Sequence, residues 1–351
     1  MRVPLAFIRP LLARGGSLIT RHSLLIMDPI TRTQFALMLH SVPHLGPKGI
    51  ARLIAELPPG LPHEPVSLSE VRAWAISADT LQREYKVHPH AAHCLAVQKE
   101  ELLSASREMA SSVEKLGIRV ITGLDQDYPS SLREYESAPP PILYAYGNLG
   151  LLRERKYAVI SSSSVGARGI EIIREMAGVL SDEGITAVTS HNTHPYQVAG
   201  LAAKSRNAPV ILVLDRGILS AFPQGLGYEP VAQARIWNLR FDPERDLVIS
   251  RFRLYDPWIG ANGRERDRMV FGLADVVVAV DVRPGGMMES ECLRAHKKGR
   301  EVYVYKPDSG DLPGGNQALL EKGCEPIPAG WARSLLTTLD LPPAEDDECA
   351  G

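Results

Sequence analysis

The feature that most constrains the fold is a series of short β-branched segments that alternate with helical stretches after Lys156. Between the first two segments, apolar residues recur at helical spacing from Ile170 to Leu180, and the stretch ends at Gly184. Strands that are apolar throughout are buried on both faces, and intervening helices permit parallel pairing. We therefore predict a Rossmann-like, doubly wound parallel α/β sheet over about residues 156–327. Its expected strands are 157–160, 185–189, 209–214, 247–249, 275–280 and 301–304.

A helical region precedes this sheet. Apolar residues recur at helical spacing from Ile30 to about Leu57, with a break at 41–48 that contains Gly46. A proline-rich turn at 58–65 leads to a second helical region, from Leu68 to about Leu116, and then to a short strand at 117–121.

These patterns divide the chain into four parts. We predict a leader of uncertain nature at 1–29, a small helical domain of helix-hairpin-helix or SAM-like type at 30–105, a Rossmann domain at 106–330 and an acidic tail at 331–351 that we expect to be disordered. The first 26 residues contain four arginines and no acidic residue, as in a presequence or a weak membrane-surface segment, but a start at Met27 explains them equally well.

Charge and cysteine content exclude several classes of protein. The net charge of −2 provides no global basic field, so any nucleic-acid binding requires a local patch. The four cysteines, at positions 94, 292, 324 and 349, form no Cys-x-x-Cys pair, and the spacing of His88, His90, His93 and Cys94 matches no standard zinc site. No apolar run approaches the roughly 18 residues of a membrane span. We expect a cytoplasmic protein with no membrane contact, no metal and no cofactor.

The break at 42–51 has the composition of a helical hairpin. Its glycine permits a tight turn, and the backbone N–H groups at the start of the next helix suit a phosphate oxygen. Lys48 and Arg52 lie beside the turn and add positive charge. A hairpin that only packs has the same pattern.

A loop of small residues follows the first sheet strand, where Rossmann folds hold phosphates. Its candidate ligands are Ser161, Ser162, Ser163, Gly166 and Gly169. The next strand is followed by Ser190, His191 and His194, which we expect to lie opposite the serines. Plain turns between strands and helices remain the alternative.

The double glycine Gly285-Gly286 follows the strand at 275–280 and offers a backbone anion nest at the start of a helix. Glu289 and Glu291 come next and could act as an acid or a base, but first-turn glutamates are more often favoured by the helix dipole. No nucleophile elbow, Walker A loop or pair of metal carboxylates occurs, so we expect no catalysis.

Three arginines, Arg264, Arg266 and Arg268, alternate with acidic residues. They cannot all face one side of a helix, but in an extended or helix-terminal segment they can contact consecutive phosphates. The alternative is a solvated run of mixed charge.

In their order along the chain, these segments resemble the DprA/Smf family of DNA-processing proteins, which acts in natural transformation. The resemblance covers about residues 33–327. It rests on the hairpin, the proline run at 139–141 with Tyr144 and Gly147-Asn148, the helix that contains Arg266-Asp267-Arg268, and the segments 299–304 and 315–323. It implies a non-catalytic protein that binds single-stranded DNA, forms homodimers and meets RecA during DNA uptake or recombination.

This chain departs from the family at its phosphate loops. Ser161-Ser162-Ser163 replaces a Gly-Ser-Arg loop, the segment 189–196 lacks two glycines and an aspartate, and Gly285-Gly286-Met287-Met288 replaces Ser-Gly-Ser-Leu. Two other functions are therefore kept open: a nucleotide or small-ligand sensor of the wider Rossmann group that includes the phosphoribohydrolases, and a scaffold without a ligand. If His191 and His194 replace the lost charge, single-strand binding should tighten as pH falls from about 7.5 to 6.

Overall fold

The computed structural model describes residues 29–58, 64–67, 71, 77–223, 226, 241–307 and 311–327. Apart from residue 29, the predicted leader lies outside the described residues, as does the predicted tail. Of the helices in these parts of the chain, none combines the length and the apolar character that crossing a bilayer requires.

A nine-stranded sheet organises the described part of the chain. Its strands are β3 (Arg119–Thr122), β4 (Ile142–Gly147), β5 (Lys156–Ile160), β6 (Thr186–Thr189), β7 (Val210–Val213), β8 (Leu247–Ser250), β9 (Val276–Ala279), β10 (Glu301–Tyr305) and β11 (Glu325–Ile327). Their order is β11-β10-β9-β5-β6-β7-β8-β4-β3. The strands from β5 onward pair in parallel, which confirms the predicted sheet, while β4 pairs antiparallel with both β8 and β3.

Helices cover both faces of the sheet. They are α6 (Ser130–Tyr135), α7 (Ala167–Asp182), α8 (His194–Ser205), α9 (Ile218–Ala221), α10 (Asn262–Leu273), α11 (Met287–Lys297) and α12 (Gly314–Glu321), with a 3₁₀ turn at Leu149–Leu152. Alternate strand residues enter different cores: Val159 packs with the helices α7 and α8, whereas Ala158 packs with α6, α10 and α11. Burial on both faces explains why these strands are apolar throughout.

The N-terminal region is helical, but more divided than predicted. It contains β1 (Ile30–Thr31), α1 (Arg32–Ser41), α2 (Pro47–Ile54), β2 (Pro65–Val66), α3 (Ala78–Tyr85), α4 (Pro89–Val97) and α5 (Lys99–Lys115). From residue 77 onward, where the structure describes it, the second helical region is divided into three helices. Lys86 ends α3 in the left-handed conformation, and Pro89 starts α4. The helix α5 runs through residue 105, where a domain boundary was predicted.

The helical module also shares a core with the sheet. Phe35, Leu39 and Leu53 belong to the same buried cluster as Tyr144 and Val248. A buried ion pair at 2.6 Å joins Arg32 of α1 to Asp125, which follows β3. The module is therefore packed directly against the antiparallel edge of the sheet.

Candidate nucleic-acid interface

The hairpin turn between α1 and α2 places a lysine at a helix start. Gly46 lies in this turn as the residue before α2, and Pro47 is the first helical residue. Gly46 has an ordinary extended backbone, however, and it is His44 that takes the left-handed conformation, with φ of 59°. Lys48 follows Pro47 and is exposed.

A cleft of about 610 Å³ separates this hairpin from the sheet domain. On the module side it is lined by the turn 44–49 and by 86–88, which follow α3. On the sheet side it is lined by 136–138, Arg251, Glu265, Arg268 and Arg294. The structure thus brings together Lys48 and Arg268, two predicted binding residues from distant parts of the sequence.

An ion-pair network forms the sheet side of this cleft. Arg251 donates to both carboxylate oxygens of Glu136, at 2.9 and 3.1 Å, and pairs with Glu265 at 3.1 Å. Arg268 pairs with the same Glu265 at 2.8 Å and lies 3.6 Å from the buried Glu291. Burial raises the pKa of Glu136, although Arg251 opposes that shift. Arginines and carboxylates nearly balance here, so the network holds the wall in place.

The excess positive charge comes from the module side. Lys48 and Lys86 are both exposed, and neither has an ion-pair partner among the described residues. Two unpaired ammonium groups therefore lie across the cleft from its sheet side. The three arginines on that side have N–H donors beyond those used in their ion pairs. Such a cleft suits a polyanion.

Two histidines, His44 and His88, line the cleft. The ring of His44 stacks on that of His88 and meets that of His90 edge-on, each at a centroid distance of 5.2 Å. Across the described ranges, no group of three or more His, Cys, Asp or Glu side chains is arranged to hold a metal ion.

The arginine run does not act as one surface. Arg266 is buried in α10: its guanidinium pairs with Asp267 at 2.9 Å, donates to Ser190 Oγ at 3.0 Å and lies over the ring of Tyr196. It also donates to Asn192. The expected phosphate contact of Arg266 is therefore wrong for this structure, because helical spacing turns it toward the sheet.

The other two arginines of the run are more exposed than Arg266, and they differ from each other in exposure. Arg264 is exposed on the first turn of α10, and Arg268 is partly exposed in the cleft. Arg52 of the hairpin is exposed too, but Nη1 donates to the carbonyl oxygen of Tyr85 at 2.8 Å. That bond ties α2 to the end of α3.

The serine loop after β5 bonds to the loop after β9. Ser161 Oγ and the backbone N–H of Ser162 both donate to the carbonyl oxygen of Asp281, each at 2.8 Å. The backbone N–H of Arg283 in turn donates to Ser162 Oγ at 2.8 Å. These two loops flank the point where the strand order reverses, which is where Rossmann folds bind ligands. Ser161 and Ser162 thus have hydrogen-bond partners in the loop after β9.

The predicted anion nest is filled by the protein itself. Gly285 has φ of 67°, the left-handed conformation that glycine allows. Its N–H donates to the carboxylate of Glu289 at 2.7 Å. Glu289 lies in the first turn of α11, so it is the internal anion of this helix start, as its placement near the helix dipole suggests.

The histidine hypothesis fails at His191. This side chain is buried, and its Nδ1 atom has no hydrogen-bond partner in the described structure. The pKa of His191 is lowered to about 4, chiefly by burial; Asp215 opposes this shift, while Arg216 and Arg266 add to it. His191 therefore stays neutral between pH 7.5 and 6 and adds no charge there.

The remaining residues that were predicted as phosphate ligands lie in the loops after the strands or at the starts of the following helices. His194 is exposed and begins α8, whereas Ser190 is buried and donates to the carbonyl oxygen of Val213 at 2.8 Å. Ser163 is exposed in the loop after β5. Gly166 precedes α7, Gly169 lies in its first turn, and Gly286 precedes α11.

Sequence reasoning missed Arg251, Arg294 and Lys86. No local pattern marks them, because each becomes part of the cleft only through packing between the module and the sheet. The one available signal was that Arg251 directly follows a strand of the parallel sheet, at its carboxyl end.

The sequence profile of the family described as DNA recombination-mediator protein A matches residues 119–340, which is more than half of the chain. DNA processing protein DprA from Streptococcus pneumoniae is 24% identical over 208 residues, which cover 59% of this chain and 70% of that protein.

Two solved structures share the fold. The X-ray structure of Streptococcus pneumoniae DNA processing protein A matches with a TM-score of 0.64 and 20% identity, over 88% of this chain and 98% of that one. DNA processing protein A from Helicobacter pylori, whose structure concerns its single-stranded DNA binding mode, matches with a TM-score of 0.50 and 19% identity, over 63% and 95%.

Proposed function

Because the chain belongs to the DNA recombination-mediator protein A family, whose members are non-catalytic DNA-binding mediators, we propose that it binds single-stranded DNA through the cleft between its helical module and its sheet. The role would lie in DNA uptake, processing or recombination. The homodimer and the contact with RecA that the family resemblance implies belong to this same proposal.

One observation carries the choice of site. Lys48 and Arg268, from separate elements, line one cleft, and Lys48 and Lys86 have no ion-pair partner among the described residues. Phosphate contacts by lysine and arginine supply most sequence-independent binding to DNA. The three cleft arginines are held by carboxylates, so the two lysines are the groups most available to phosphates.

The switch-point crevice supports this choice by exclusion. There, Ser162 bonds to Asp281 and Arg283, and Glu289 occupies the N–H of Gly285. A phosphate at this place would have to displace an internal carboxylate. The same contacts weigh against a nucleotide sensor that uses this crevice.

The test is a titration of single-stranded and duplex oligonucleotides with the full chain at two salt concentrations. The Lys48→Ala, Lys86→Ala double variant should bind the single strand about a hundredfold more weakly, since each of the two lost charge-assisted bonds contributes roughly 1.5 kcal/mol. The slope of log affinity against log salt should fall by about 0.7 for each lost phosphate contact.

Lys115→Ala is the matched control, because Lys115 is an exposed lysine at the end of α5 that does not line the cleft. It should bind as the wild type does. If the double variant also binds as the wild type does, the cleft is not the site. If a nucleotide stabilises the wild type while no oligonucleotide binds, the sensor replaces the proposed function.

A further inference from the structure

Three large apolar side chains face solvent together on the segment between β8 and α10. Tyr255 is 69% exposed, and Trp258 and Ile259 are each 54% exposed. We call these three residues the aromatic shelf. Among the described residues, half of the large apolar side chains that are markedly exposed lie within these five positions. A clustered apolar surface of this kind indicates a contact site.

The backbone of the shelf is held firmly. The carboxylate of Asp256 accepts from the backbone N–H of Arg253 at 3.0 Å, and the carbonyl oxygen of Asp256 accepts from the N–H of Gly217 at 2.9 Å. A Cβ atom at Gly217 would overlap the carbonyl oxygens of Arg253 and Leu254, so these two segments of the backbone approach as closely as glycine allows. The rings are thus presented on a rigid support, which lowers the entropy lost when a ligand binds.

The segment 251–264, which carries the shelf, has a positive net charge. Asp256 is the single acidic residue between Arg251 and Arg264, and its carboxylate is bonded to the backbone. Arg264 is exposed on the next helix, and Arg253 donates to the carbonyl oxygen of Val42 in the hairpin at 3.3 Å. Flat rings beside arginines are the combination with which proteins stack the bases of a single strand and hold its phosphates.

The shelf is joined along the chain to two parts of the cleft wall. The segment that carries it begins at Arg251 and ends at α10, which provides Glu265 and Arg268, and all three residues line the cleft. Building on the proposed function, we propose that the aromatic shelf stacks bases of the same single strand whose phosphates the cleft binds. The ligand class is unpaired nucleic acid with accessible base faces.

The test compares the full chain with Trp258→Ala, using oligo(dT) and an abasic oligonucleotide of the same length. Trp258→Ala should weaken oligo(dT) binding about tenfold, as expected for one lost stacked base, and leave the abasic affinity unchanged. Trp258→Phe should keep most of the oligo(dT) affinity. The decrease in tryptophan fluorescence on oligo(dT) binding should be smaller than in the wild type, because the contribution of Trp258 is lost. Val97→Ala, which truncates another exposed apolar side chain, is the matched control and should change neither affinity.

The outcomes separate the two proposals. If the lysine double variant loses binding but Trp258→Ala does not, the shelf proposal is overturned and the proposed function stands. Equal weakening for oligo(dT) and the abasic strand also overturns stacking. If Trp258→Ala instead dissociates a complex between copies of the chain without changing oligonucleotide affinity, the shelf is a protein interface. Failure of the wild type to bind any oligonucleotide overturns both proposals.

Discussion

The Nη1 atom of Arg266 donates a hydrogen bond to the Oγ atom of Ser190 at 3.0 Å, across 76 residues of sequence. Both residues were predicted to contact phosphates, and both are buried. The same guanidinium pairs with Asp267, whose pKa is raised by burial although Arg266 opposes the shift. Arg266 therefore holds α10 against the loop after β6.

Arg266→Ala should destabilise the fold. Removing one partner of a buried ion pair leaves the other charge unpaired, and such changes lower the free energy of unfolding by about 3–5 kcal/mol. Arg264→Ala, at an exposed position of the same helix, should change it by no more than about 0.5 kcal/mol. Urea unfolding followed by circular dichroism measures both. A stable Arg266→Ala protein with a reduced salt slope for DNA would restore its role as a phosphate ligand.

Acid should weaken the fold through His191. Its folded-state pKa of about 4 lies below the unfolded value of about 6.5, so between these values the unfolded chain binds more protons. The contribution is complete above about pH 6.5 and is lost as pH falls toward 4, and it amounts to roughly 3 kcal/mol.

The measurement is the free energy of unfolding at pH 7, 5.5 and 4.5. The wild type should lose more stability than His191→Gln, whose side chain does not titrate. Between pH 7.5 and 6, the wild type and His191→Gln should show the same dependence of DNA affinity on pH. If the free energy of unfolding changes with pH in the same way in the wild type and in His191→Gln, then His191 has the same pKa in the folded and the unfolded state.

The internal carboxylate at Gly285 should keep phosphate out. Glu289→Ala removes the acceptor for the Gly285 N–H and should lower the free energy of unfolding by about 1–2 kcal/mol. The vacated nest should then bind inorganic phosphate, so phosphate should raise the melting temperature of the variant more than that of the wild type. Glu289→Gln keeps an acceptor oxygen and should show a smaller phosphate effect. Equal phosphate effects in all three proteins would refute an occupied nest.

The buried pair of Arg32 and Asp125 should couple the helical module to the sheet. Asp125 also accepts from the N–H and the hydroxyl of Thr122, so Asp125→Ala leaves three donors without this acceptor. We expect a loss of about 3–5 kcal/mol in a single unfolding transition. Asp127→Ala, which removes an exposed pair with Arg153, should cost less than about 1 kcal/mol. Two separate transitions in the wild type would show that the module folds independently.

The strands of the sheet were predictable because each carries its own signal. Tyr157–Ile160 was expected and Lys156–Ile160 is found; the segment at 247–249 became Leu247–Ser250. A strand that is buried on both faces must be apolar at every position, and that requirement is local to the strand. The boundary predicted at 105 has no such local signal, and the helix Lys99–Lys115 continues through it.

The site was predictable only in part. Lys48 and Arg268 were both named from the sequence, but as members of separate motifs, and nothing local indicated that they line one cleft with Arg251, Arg294 and Lys86. Arg266 and Arg268 are two residues apart, yet one is buried and the other is partly exposed, because neighbouring positions of a helix face different sides.

By itself, the sequence determined the parallel sheet, the helical hairpin and the family, since these follow from periodicity and from the order of motifs along the chain. The tertiary structure decided which polar and charged groups are free to bind a ligand. Ser161, Ser162, Arg266, His191 and the Gly285 amide look available in the sequence, but packing gives four of them internal partners and keeps His191 neutral. Availability depends on whether a polar group is already bonded or desolvated, and the groups that bond it or bury it come from distant parts of the chain.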